Sequence, residues 1–83
     1  MIAVVQLFAG ARDLAGMPWV PVEVPNGATV AELRDCVLRD LPALAALVLR
    51  SRIAVNCEFA DDDAVVPEGA ELALIPPVSG GTA

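Results

Sequence analysis

Eleven carboxylates, five cationic side chains and two thiols make up the conventional side-chain chemistry of this 83-residue chain, which has no histidine. The five cations are all arginines, at positions 12, 34, 39, 50 and 52. Without histidine neither a Ser-His-Asp nor a Cys-His arrangement can form. Histidine-containing metal sites are excluded too, and Cys36 and Cys57 alone cannot close a zinc site. The run Asp61-Asp62-Asp63 offers three carboxylates to a hard cation, but adjacent side chains diverge and lack the spacing of a calcium loop. It reads as a solvated turn. No phosphate-cradling glycine motif with a lysine is present. Glu23, Glu58, Glu68 and Glu71 could pair as carboxylates, yet nothing in the sequence gathers any of them around a pocket. The expectation is a chain that binds no metal and no cofactor and has no active site of its own.

The remaining candidate for chemistry is main chain, in "PPVSGGTA" at 76–83. Pro76 and Pro77 favour an extended backbone that projects from the body. Gly80 and Gly81 carry no side chains, so this segment can thread a narrow channel and present a carboxylate inside another protein. The same residues also read as a frayed terminus. Composition alone prefers that plainer reading.

Composition sets the frame. Net charge is −6, and the absence of lysine argues against nucleic acid, whose phosphates demand a basic footprint. An acidic surface serves solubility, or a basic partner surface. At 57% hydrophobic the chain is too apolar for disorder, and its length suits one domain with a modest core. No apolar run approaches the roughly 20 residues of a membrane span. The opening "MIAVVQLF" lacks the basic segment and cleavage site of a signal peptide, so the expected location is the cytoplasm, away from membranes. In that compartment Cys36 and Cys57 are read as reduced thiols in preference to a disulfide.

The elements that would position such a tail are short. "IAVVQLF" alternates as a strand, with Ala3, Val5 and Leu7 on one face and Val4, Gln6 and Phe8 on the other. "GARDLAG" reads as a loop with a helical turn at most. "WVPVEV" is a second strand, and Pro21 places it at a sheet edge. Trp19 is expected to pack at that edge. Thr29 and Glu32 form a T-x-x-E capping box ahead of Val30, Leu33, Val37 and Leu41 at helical spacing. Pro42 ends this helix or starts a short second one through "ALAALVL". "RIAVN", a short "CEFA" and "AELALI" complete the strands, with a turn near Asn56 and a positive φ available at Gly69. One main helix on one face of a mixed four- to five-stranded sheet is an α+β arrangement. If the helix covers Val5, Leu7, Leu72 and Leu74, then Phe8 and Ile75 stand on the open face.

Taken together, "LFAGARDLAG", "ATVAELRDCV", "AVN" and "PEGAELALIPPVSGG" resemble the ubiquitin-like sulfur carriers that form the small subunit of molybdopterin synthase. The resemblance covers nearly the whole chain. It implies a β-grasp domain over 1–77 and a flexible tail over 78–83. It also implies a cycle in which an E1-like enzyme spends ATP to adenylate the terminal glycine carboxylate. A sulfur donor then displaces AMP and leaves a thiocarboxylate. The large synthase subunit, joined with the small one in a heterotetramer, admits the tail, and sulfur passes to precursor Z (cyclic pyranopterin monophosphate) to build the molybdopterin dithiolene. The chemistry is coherent: adenylation removes the charge that makes a carboxylate a poor electrophile, and the tether holds the sulfur at high effective concentration. Catalytic groups would belong to the partners, and this chain would be a sulfur-donating subunit.

By the resemblance, Gly81 bears the thiocarboxylate, Gly80 threads the channel, and Pro76, Pro77 and Val78 lie along the partner. Phe59 matches an interface position. Phe8, Phe59 and Ile75 are thus expected to form an exposed apolar patch, the other reading being that Phe59 is core. Arg12 matches a basic position that faces an acidic partner surface, or is simply solvated. The family ends at the second glycine, whereas Thr82 and Ala83 follow Gly81 here. Either a protease trims them, or they are foreign to the natural chain, or this copy does not carry sulfur in the usual way; trimming or a tolerated extension is preferred. Two other functions stay open: a carrier for thiamin or a tungsten-type cofactor, and a β-grasp binding module with an inert tail.

Overall fold

The computed structural model describes residues 1–77. The expected tail segment 78–83, with Val78, Gly80 and Gly81, lies outside the described residues.

Strands β1 (Ile2–Leu7), β2 (Trp19–Glu23), β3 (Arg52–Val55), β4 (Glu58–Phe59) and β5 (Leu72–Ile75) form one mixed sheet in the order β2-β1-β5-β3-β4. The first and last strands lie side by side and parallel at its centre, pairing Val5 with Leu72 and Leu7 with Leu74. The other pairings are antiparallel. β2 is an edge strand, which accommodates Pro21, as expected from a residue with no N–H to donate.

Alternation assigns the faces. Ala3, Val5 and Leu7 of β1, Val20 and Val22 of β2, Ile53 of β3, and Leu72 and Leu74 of β5 point into the core. Helix α2 (Val30–Asp40) covers that side with Val30, Leu33 and Val37, all fully buried. Removing these side chains from water drives the packing, each worth about 1.5–3 kcal/mol when fully buried.

The capping box forms as the sequence predicts. Glu32 N–H donates to Thr29 Oγ1 at 3.2 Å, and Thr29 N–H to Glu32 Oε1 at 2.9 Å. The two N–H groups between them are bonded by the acidic loop: Val30 N–H donates to Ala64 O and Ala31 N–H to Asp62 O. Every free donor of the first turn is thereby satisfied. The Asp61–Asp63 run also sets negative charge at the positive end of the helix dipole. At the far end Pro42 opens a 3-10 turn, Pro42–Leu44, and then a short helix α3 (Ala45–Arg50).

One reading needs correction. All of "GARDLAG" but its last glycine lies in a seven-residue helix, α1 (Ala9–Ala15), in place of the expected loop with one helical turn. Ala9, at φ 50, turns the chain sharply off β1 and lets Ala11 reach the core, while Gly16, at φ 73, ends the helix by donating to Arg12 O. The main helix is α2, as expected, and the shorter α1 and α3 add Ala11 and Val48 to the same core. Arg34 of α2 folds back onto the domain. Its side chain is 18% exposed, and its guanidinium donates to Val48 O and Ser51 O at 2.9 and 2.8 Å, capping the end of α3. With helices on one face and β1 and β5 paired at the centre of a mixed sheet, the fold is the β-grasp that the resemblance implied.

Candidate functional site

Among the described residues the face opposite α2 carries no helix, and the ladder registers place its residues in rows. One row runs Trp19, Gln6, Ala73, Ala54, Phe59 across all five strands. Two alanines at its centre leave a floor without bulk. Phe8, Phe59 and Ile75 rise around it, with Gln6, Cys57 and Glu71 at the opposite rim, and together they enclose a hollow of about 330 Å³. The structure thus brings the three expected apolar residues together on the open side of the sheet. Phe59, 55% exposed, is not core. Phe8 is 40% exposed and Ile75 half-buried.

The polar rim is bonded internally. Glu71 accepts at 3.4 Å from Gln6 Nε2 on one carboxylate oxygen and from Cys57 Sγ on the other. Its backbone N–H donates to Asn56 Oδ1 at 3.0 Å, and its carbonyl accepts from Asn56 N–H at 2.7 Å. Asn56 and Cys57 both take positive φ, 52 and 71, in the two-residue turn between β3 and β4, the backbone of a type I′ hairpin whose twist matches the strands. The hydrogen bond to Glu71, and then its negative charge, push the Cys57 thiol above its ordinary pKa. Cys57 is exposed, Cys36 is half-buried, and both thiols are free.

A second hollow, of about 480 Å³, adjoins the first. Val4, Phe8, Pro18 and Trp19 line it, with Arg12 at its edge, so Phe8 borders both. Trp19 sits on the edge strand as expected, but its indole is 51% exposed and faces this hollow instead of packing away. On the other flank the Arg52 guanidinium lies 3.9 Å from the centroid of the Phe59 ring. The sequence reading missed Ala54 and Ala73 as the floor, Gln6, Cys57 and Glu71 as the rim, and Arg52 as the neighbour of Phe59. Strict alternation in "RIAV" and "LALI" was the available signal, since it sets Ala54 and Ala73 on the face of Phe8.

β5 ends at Ile75 on the wall of the first hollow, with Pro76 half-buried and Pro77 exposed immediately after it. Pro76 and Pro77 thus follow the sheet beside an apolar depression on an otherwise acidic molecule. Such a surface can seat another protein without contributing a nucleophile, acid or base. Among the described residues no three His, Cys, Asp or Glu side chains converge as a metal site, and no helix is long and apolar enough to cross a membrane.

The chain has relatives of known designation. The molybdopterin synthase sulfur carrier subunit of Arabidopsis thaliana is 39% identical over 77 residues, covering 93% of this chain and 80% of that protein. The small archaeal modifier protein 1 of Haloferax volcanii is 39% identical over 84 residues, covering 92% and 97%. Its crystal structure superposes with a TM-score of 0.84 at 32% identity, over 98% of this chain and 100% of that one. A chain of the BexX/CysO complex of Amycolatopsis orientalis superposes with a TM-score of 0.66 at 29% identity, over 94% and 98%. The ThiS family pattern matches residues 5–81, and the chain belongs to the ThiS family.

Proposed function

We propose that this protein is the sulfur carrier of a molybdopterin synthase. An E1-like enzyme joins the Gly81 carboxylate to AMP from ATP, releasing pyrophosphate. A sulfur donor then forms the carbon–sulfur bond as the AMP–oxygen bond to carbon breaks, leaving a thiocarboxylate. The large synthase subunit receives the open sheet face, and the tail reaches its pocket through Pro76, Pro77, Val78 and Gly80, where sulfur passes to precursor Z. Arg12, at the edge of the second hollow, meets an acidic group of a partner. A protease that removes Thr82 and Ala83 exposes the Gly81 carboxylate before the first activation. The compartment proposed for this work is the cytoplasm.

The observation that carries the reading is the apolar hollow at the foot of β5, from which the sequence runs directly into Gly80-Gly81. Small side chains after the prolines suit entry into a narrow channel, and the absence of histidine and lysine suits a subunit whose partners supply the catalytic groups. The name of the plant relative supports the choice of product. The test is transfer. A thiocarboxylated chain ending at Gly81 is mixed with the large synthase subunit and precursor Z. Molybdopterin should form while the chain loses its sulfur. Retention of sulfur with this acceptor, together with its release to a thiamin or tungsten-type pathway, would move the protein to one of those.

A further inference from the structure

Phe59 is the least supported wall of the hollow. It lies on β4, a strand of two residues at the sheet edge, behind a turn of two positive-φ residues, and is more than half exposed. Strand pairing fixes its backbone only through Ala54 and Val55. Its ring has one charged neighbour: Arg52, two residues before Ala54 on β3, reaches diagonally to place its guanidinium 3.9 Å from the ring centroid. Diagonal neighbours on one sheet face lie within reach of long side chains, and a cation over an aromatic face is attracted by the ring quadrupole. In a chain with eleven carboxylates, the Arg52 guanidinium makes no hydrogen bond or ion pair among the described residues. Arg52 is also the ladder partner of Ile75, the last residue of β5, so it touches two walls of the hollow at the point where the tail begins.

We propose that Arg52 is a positioning residue that stacks on Phe59 and holds its ring at the rim of the hollow, building the docking surface before a partner arrives. The inference rests on the docking role given to this face above. A side chain ordered beforehand does not pay its rotamer entropy on binding, which corresponds to about two- to tenfold in affinity for one such side chain.

The experiment has two readouts on the full chain. The first is ¹³C relaxation of the Phe59 ring in the free protein. Arg52→Met should increase ring motion, and Arg52→Lys, which keeps a cation, should restore part of the order. The second is affinity for the purified large subunit of molybdopterin synthase. Arg52→Met should weaken binding about two- to tenfold, and the same change in a Phe59→Leu background should have no further effect. Unchanged ring relaxation in Arg52→Met overturns the proposal. So does an equal loss of affinity in both backgrounds, which would mean that Arg52 contacts the partner directly. If the wild-type chain does not bind the large subunit at all, the docking role fails, and ring relaxation alone then decides the positioning role.

Discussion

The Cys57 thiol shows how one residue is set by its surroundings. Its hydrogen bond to Glu71 stabilises the protonated form, and the nearby carboxylate repels the thiolate. Raising the pKa of an acid makes its anion scarcer at every pH below that value, and the thiolate is the reactive form. Exposed as it is, Cys57 should therefore alkylate slowly near neutral pH. Glu71→Gln removes the charge and should move the rate profile to lower pH. Iodoacetamide labelling followed by peptide mass mapping, which separates Cys57 from Cys36, checks this; an unmoved profile in the variant would contradict it. The sequence signalled a turn at Asn56 but not the φ of Cys57, because Asn-Cys lacks the glycine that usually marks such a hairpin. The contact with Glu71 joins residues 14 apart in sequence, and no local pattern announces it.

At the scale of elements, α2 was the most legible, because helical spacing and a capping box point to the same start. Thr29→Ala should cost about 1 kcal/mol of stability in urea unfolding, and Glu32→Ala should also destabilise, since each side chain satisfies a donor that the other cannot reach. Helix α1 was not legible. Flanking glycines and the lack of a polar cap imitate a loop, and what stabilises the helix is non-local: Ala11 is buried and Ala15 partly buried in the core, with the 3-10 turn and α3 packed alongside. Its N-cap is Phe8, in extended backbone at φ −131 and ψ 157 with no capping side chain. Asp is a favoured residue in that position. Phe8→Asp should therefore leave the fold at least as stable by thermal unfolding, yet abolish capture by the large synthase subunit, because it sets a charge between two apolar hollows. Ile75→Asp should also abolish capture. Retained binding by both variants would remove this face from the account.

For the whole molecule, one sheet divides the labour. One side is buried under three helices and gives stability; the other presents two hollows, the first floored by alanines and bordered by the end of β5. The expected patch of Phe8, Phe59 and Ile75 was legible in outline because alternation fixes faces. Its depth was not, since it comes from Ala54 and Ala73 meeting through the β3–β5 register. Nor was Arg52 legible as the neighbour of Phe59, a diagonal contact that depends on a two-residue strand. On the proposed function, the domain is a holder for a main-chain terminus whose chemistry is completed by its partners. The most direct test is the intact mass of a chain ending at Gly81 after incubation with an E1-like enzyme, ATP and a sulfur source. The account predicts a gain equal to the difference between one sulfur and one oxygen atom, dependent on ATP, and none for the chain that retains Thr82 and Ala83 unless they are first removed. An unchanged mass for the Gly81-terminated chain, with the same enzyme loading a known carrier in parallel, would contradict it.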